Sequence, residues 1–231
     1  MAKHIGIVAC SAEGAALCYK TICFNGARHL GPYAHPEVSM HTPSFADYVA
    51  RLDRGDIEGV GDLMLSSACK LKAAGAEFLI CPDNTIHQAM DHVSARSPLP
   101  WLHIAEVVAA EAVAEGYRRL GLLGTQWLME SDVYPPKLRA RGIECVLPKP
   151  AERKRLGEII MTELVHGSFR PESIAYFEMI ISRLKEEEGC DAAALACTEI
   201  PLIISDANSA LPTLDSTRLL ARAALLHALS N

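Results

Sequence analysis

Among eight cysteines the 231-residue chain has no Cys-x-x-Cys pair. Thioredoxin-type redox chemistry and zinc ribbons therefore lack their usual sequence support. No segment approaches the roughly 18 to 20 consecutive apolar residues of a membrane-spanning helix. The opening Met1-Ala2-Lys3-His4-Ile5-Gly6-Ile7-Val8 is too short and too β-like for a secretory signal, so a cytoplasmic protein is expected. Positive charge is in deficit: 22 Lys and Arg stand against 28 Asp and Glu, for a formal net charge of -6. That balance argues against a nucleic-acid partner. It leaves room for a small anionic ligand, because the local field of a pocket can oppose the net charge. Gly6-Ile7-Val8-Ala9-Cys10-Ser11 lacks the Gly-x-Gly-x-x-Gly turn, which disfavours a nicotinamide-binding Rossmann enzyme. Short repeats and low-complexity tracts are absent.

What is present is a chain that can build a core. Half of its residues are hydrophobic and 22% are charged, a balance typical of folded domains. A disulfide framework is not expected in a cytosolic chain of this size, and most cysteines should behave as small buried hydrophobes. Short apolar strands alternate with amphipathic helices. Strands are expected at Ile5–Ala9, Val38–Met40, Glu77–Cys81, Leu120–Leu123, Ile143–Val146, Ala192–Ala196 and Leu211–Leu214. Helices are expected at Ala12–Ile22, Asp56–Ala74, from Asn84 onward, and at Ile104–Gly116, Ser131–Arg141, Glu152–Val165, Pro171–Glu187 and Ser216–Leu229. This order predicts an α/β protein with parallel sheets flanked by helices. Ser97-Pro98-Leu99-Pro100 is the best hinge candidate, since its prolines interrupt helix. The halves resemble each other loosely, which suggests two lobes: residues 1–100 plus 212–231, and residues 101–211.

In open α/β sheets, ligands bind beyond the carboxyl ends of the strands. Four loops qualify: Ala9-Cys10-Ser11-Ala12, Cys81-Pro82-Asp83-Asn84-Thr85, Gly124-Thr125-Gln126 and Cys197-Thr198-Glu199. All are rich in small hydroxyl, amide or acidic groups, and backbone N–H groups at helix starts can hold a carboxylate. Taken singly, each loop is better explained as an ordinary helix cap. His87 either orients a neighbour or packs. His87 and His92 are five residues apart, a poor spacing for a shared metal, so no metal site is expected.

The residues Ile5-Gly6-Ile7-Val8 with Ser11 and Glu13, His35-Pro36-Glu37, Asn84-Thr85-Ile86-His87 and Gly121-Leu122-Leu123-Gly124-Thr125 run in order along the chain. Met129-Glu130-Ser131, Tyr134, Gly142-Ile143, Cys197-Thr198-Glu199-Ile200-Pro201 and Asp215-Ser216-Thr217 follow. In this order the sequence resembles the aspartate/glutamate racemase family over nearly its whole length. The Asn-Thr-x-His and Cys-Thr-Glu-Ile-Pro pieces are the most specific. The resemblance implies two pseudo-symmetric α/β lobes with the active site in the cleft between them. It also implies two-base racemisation of an amino acid without pyridoxal phosphate or any other cofactor, and a homodimer. One group removes the α-proton and another returns a proton on the opposite face. The family usually supplies a cysteine from each lobe. A thiol suits this work because its reference pKa, about 8.5, lies near working pH.

Cys197 matches the second-lobe position. In the first lobe, Asp83 stands where the family's cysteine directly precedes the Asn-Thr pair, and Cys81 lies two residues earlier. Position favours Asp83 as the acid/base, while alternation along an extended segment puts both residues on one side and leaves Cys81 open. An Asp/Cys pair would be asymmetric and favour one enantiomer. Ser11, Asn84, Thr85, Thr125 and Thr198 resemble the residues that hold the substrate's carboxylate and amine. The basic residues often found in aspartate-specific members are missing from Thr42-Pro43-Ser44-Phe45 and His166-Gly167-Ser168, with His41 and His166 the nearby alternatives. Two other readings stay open: a related isomerase, decarboxylase or hydantoin racemase on the same scaffold, and a non-catalytic small-ligand-binding protein.

Overall fold

The structure, a computed structural model, describes residues 2–230. It divides into two compact units, one made of the residues through Ile104 with those from Thr217 onward, the other of Ala105–Ser216.

In the first unit, strand β1 (Ile5–Val8) leads to helix α1 (Ala12–Leu30), then β2 (Val38–His41), α2 (Phe45–Leu52), α3 (Ile57–Ala73) and β3 (Phe78–Ile80). A 3₁₀ turn over Thr85–Ala89, α4 (Met90–Ser94) and β4 (Trp101–Leu102) follow. The strands pair in parallel in the order β2-β1-β3-β4. Ile5, Ile7, Leu79 and Ile80 are completely buried, as expected for strands covered on both faces.

The second unit repeats the plan. It contains α5 (Ile104–Ala114, whose first residue belongs to the other unit), β5 (Arg119–Gly124), α6 (Gln126–Met129), α7 (Pro135–Arg139), β6 (Glu144–Val146) and α8 (Pro150–Thr162). A 3₁₀ turn at Leu164–His166, α9 (Pro171–Glu186), β7 (Ala192–Ala196), a 3₁₀ turn at Ile200–Leu202 and β8 (Thr213–Asp215) complete it. Its order, β6-β5-β7-β8, is again parallel. Leu123, Leu195, Ile160, Phe177 and Leu184 anchor its core. Helix α10 (Ser216–Leu229) returns to the first unit, where Phe78 packs edge-on against His227 and Lys3 N–H bonds the Ala228 carbonyl. Among the described residues, no helix is long and apolar enough to cross a membrane.

The expected alternation is present, with local differences. Helix α1 runs eight residues beyond Ile22 because Gly26 does not break it. A Cβ there would lie 2.8 Å from the His35 backbone, so glycine lets the helix pass that segment closely. Helix α2 occupies a stretch with no expected element; it is short, and its apolar face rests mainly on Tyr48 and Leu52, four residues apart. The helix expected over Ser131–Arg141 is shortened to α7, and α6 lies before it in a stretch with no expected element. Pro135 and Pro136 cannot donate backbone hydrogen bonds and so start a helix rather than continue one. Trp101–Leu102, unassigned from sequence, pairs with β3.

Candidate active site

In the first unit the side chains of interest lie at the carboxyl ends of neighbouring strands. Ile7 pairs with Ile80 and Val8 with His41, so the loops after β1, β2 and β3 emerge side by side. This brings Ser11, Asp83, Asn84 and Thr85 to one edge. Ser11 caps α1, its hydroxyl accepting the Gly14 N–H at 3.3 Å. Asn84 and Thr85 are buried at the start of the 3₁₀ turn, and Asp83 is half-buried. One Asp83 carboxylate oxygen accepts the Ile86 N–H at 3.2 Å.

Two neighbours define the backbone of this turn. The completely buried Cys81 thiol donates to the Asp83 carbonyl at 3.6 Å. Burial, reinforced by the negative charge of Asp83, pushes the Cys81 thiol well up, so it is held as a neutral thiol. His87 Nδ1 donates to the same Asp83 carbonyl at 2.7 Å, and its Nε2 accepts from the Ile104 N–H at 3.4 Å. Those partners fix the neutral Nδ1–H tautomer. Burial, with His103 nearby, lowers the His87 pKa to about 3. Of the two roles open to His87 from sequence, the structure supports orientation of the Asp83 turn.

His41, at the end of β2, is engaged by Ser67 Oγ at 2.9 Å and Lys70 Nζ at 3.0 Å. Burial and the Lys70 charge lower its pKa, which makes it a poor source of positive charge.

In the second unit Gly124 pairs with Ala196, placing the loops after β5 and β7 together. Thr125 caps α6 through the Leu128 N–H at 3.2 Å. Cys197, Thr198 and Glu199 are all buried. The Cys197 thiol lies 3.0 Å from Glu199 Oε2, and the Thr198 hydroxyl donates to that same oxygen at 2.6 Å. The thiol is thus a hydrogen-bond donor to the Glu199 carboxylate. Glu199 was visible in sequence as part of Cys-Thr-Glu, but nothing there assigned it a role. Its contact with Cys197 forms only in the folded turn, so the sequence carries no signal for it.

Tyr48 is the other residue that sequence reasoning did not single out. It is completely buried on α2, near enough to Cys81, Cys10 and Asp83 for them to reinforce the upward push that burial gives its pKa.

The pattern described as Asp/Glu/hydantoin racemase matches residues 9–224. The broad specificity amino-acid racemase RacX of Bacillus subtilis (strain 168) is 24% identical over 200 residues, covering 85% of this chain and 83% of its own. A crystal structure of a candidate Asp/Glu racemase from Yersinia pestis superposes with a TM-score of 0.89 at 30% identity, covering 99% of this chain and 100% of the other. An aspartate racemase homologue from Pyrococcus horikoshii OT3 gives 0.84 at 28% identity, with full coverage of both chains.

Proposed function

Because this chain belongs to the Asp/Glu/hydantoin racemase family, we propose that it racemises a free α-amino acid, aspartate, glutamate or a relative, by two-base proton transfer through Asp83 and Cys197, without a cofactor. The observation that carries this reading is the buried Cys197–Glu199 pair at 3.0 Å. A base that must take a proton from carbon and later give one up needs a place for the proton and a fixed orientation. Glu199 supplies both within the span of three residues.

In the first unit, Asp83 is preferred over Cys81. The Cys81 thiol is completely enclosed, bonded to a backbone carbonyl and pushed up in pKa. Asp83 is half-buried, so its carboxylate is the better candidate to meet a substrate. Asn84, Thr85, Ser11, Thr125 and Thr198 supply hydroxyl, amide and backbone N–H groups for the substrate carboxylate and amine. A carboxylate against a thiol makes the two directions chemically unequal, which favours one enantiomer as substrate.

The side-chain preference rests on RacX, whose name records broad specificity among amino acids. The test is chiral analysis of a panel of amino acids incubated with the enzyme. Racemisation should be lost in Cys197→Ala and Asp83→Ala and retained in Cys81→Ala. Full racemisation by Cys197→Ala sinks the mechanism. Tight binding by the wild type without α-proton exchange would make the chain a binding protein.

A further inference from the structure

A buried hydroxyl on α2 stands beside the first-unit site with no partner. Tyr48 is 0% exposed, yet its hydroxyl completes no hydrogen bond. Leaving such a donor unpaired is costly, so an unpaired buried donor calls for an explanation. Its surroundings are specific. Cys10 lies just beyond β1, Cys81 just beyond β3, and Asp83 two residues further on; all three are close enough to act on the Tyr48 hydroxyl electrostatically. The remaining polar neighbour is Ser67 of α3, short of ordinary hydrogen-bond geometry.

Behind Ser67 the polarity is defined. A lysine ammonium only donates, so His41 Nε2 accepts from Lys70 at 3.0 Å, and the ring hydrogen on Nδ1 is donated to Ser67 Oγ at 2.9 Å. The Ser67 oxygen is thus supplied from behind, and its own hydrogen is available on the Tyr48 side. With Ser67 donating to the phenol oxygen, the phenol hydrogen is available for a further acceptor.

We propose that Tyr48 is a positioning residue for Asp83: its phenol hydrogen, oriented by the Lys70–His41–Ser67 chain, bonds the Asp83 carboxylate when substrate excludes water. The assignment rests on Asp83 being the first-unit base. Burial and the three acidic neighbours raise the phenol's pKa, so it remains a donor throughout the working range. Titratable neighbours of Asp83 include Tyr48 of α2, Cys81 at the end of β3 and, through the Asp83 carbonyl, the neutral His87.

The experiment is the pH dependence of kcat/KM for the best amino acid of the panel, in wild type and Tyr48→Phe, with thermal melts of both. A donor to a carboxylate favours its charged form. Tyr48→Phe should therefore lower kcat by roughly tenfold to a hundredfold and move the acid limb to higher pH, with no loss of thermal stability. Ser67→Ala keeps the phenol and removes its support; it should move the limb the same way, by less. An unmoved limb in both variants overturns the proposal, as does lost activity that tracks a lowered melting temperature. Asp83→Asn separates the two levels. Wild-type racemisation by Asp83→Asn overturns both the base and its positioning residue. Inactive Asp83→Asn beside wild-type behaviour of Tyr48→Phe overturns only the latter.

Discussion

Glu199 Oε2 accepts from two side chains within three consecutive residues, Cys197 at 3.0 Å and Thr198 at 2.6 Å. If its work is to exchange a proton with the thiol, an amide there keeps the volume and the bond from Thr198 while losing that exchange. Glu199→Gln should reduce kcat by about 10²- to 10⁴-fold, read by chiral assay, with a melting temperature close to wild type. A packing role would lower the melting temperature instead. His87 supports a prediction on stability. It stays neutral in the fold down to about pH 3, against 6.5 for an ordinary histidine. Between those values the unfolded chain holds one more proton, so the contribution is full above about 6.5 and is lost as pH falls toward 3. Urea melts at intervals between about pH 4 and pH 7 should show a shallower pH slope for His87→Gln, by up to one proton. Parallel slopes would contradict the assignment. As candidates, Cys197 and Asp83 stand out in the sequence by position in strand-end motifs. Tyr48 did not, because its place depends on a packed helix with no strong local signature. The role of Glu199 depends on a side-chain contact that one-dimensional spacing does not reveal.

Elements are positioned by a few backbone constraints. Gly124 ends β5 directly before Thr125. A Cβ there would lie 2.9 Å from the Ala196 carbonyl and 2.7 Å from Leu128 Cδ2. The carbonyl belongs to the strand ladder and cannot yield, so Gly124→Ala should destabilise the second unit by about 1 to 3 kcal/mol, measurable by urea melts. It should also disturb the loop that carries Cys197. A neutral result would mean that β5 and β7 separate easily at this end. The strands were legible because they are continuous apolar runs, and the long helices because of their periodicity; Asp56, expected as the first residue of its helix, instead caps α3 by accepting the Gly59 N–H at 3.0 Å. Boundaries were less legible where tertiary contact overrides local pattern, at Gly26 inside α1, or where short helices flank paired prolines, at α6 and α7.

At the scale of the whole molecule, the two sheets share one strand order, β2-β1-β3-β4 and β6-β5-β7-β8. Asp83 follows the third strand of its sheet and Cys197 follows the third strand of the other. The equivalent loop of the repeated plan thus carries a carboxylate in one copy and a thiol in the other. This chain is an isomerase of the amino-acid racemase type. On the proposed two-base reading, pairing Asp83 with Cys197 makes the two half-reactions separable. Each base can still exchange the α-proton that faces it when the other is removed, although racemisation stops. The decisive measurement is the initial rate of α-deuterium incorporation from D₂O into the L- and D-forms of one substrate, by ¹H NMR, for Asp83→Asn and Cys197→Ser. Opposite patterns are predicted, with each variant exchanging one enantiomer and the two variants differing in which. Loss of the same enantiomer in both, or exchange of both enantiomers by either, would contradict two-base catalysis by Asp83 and Cys197.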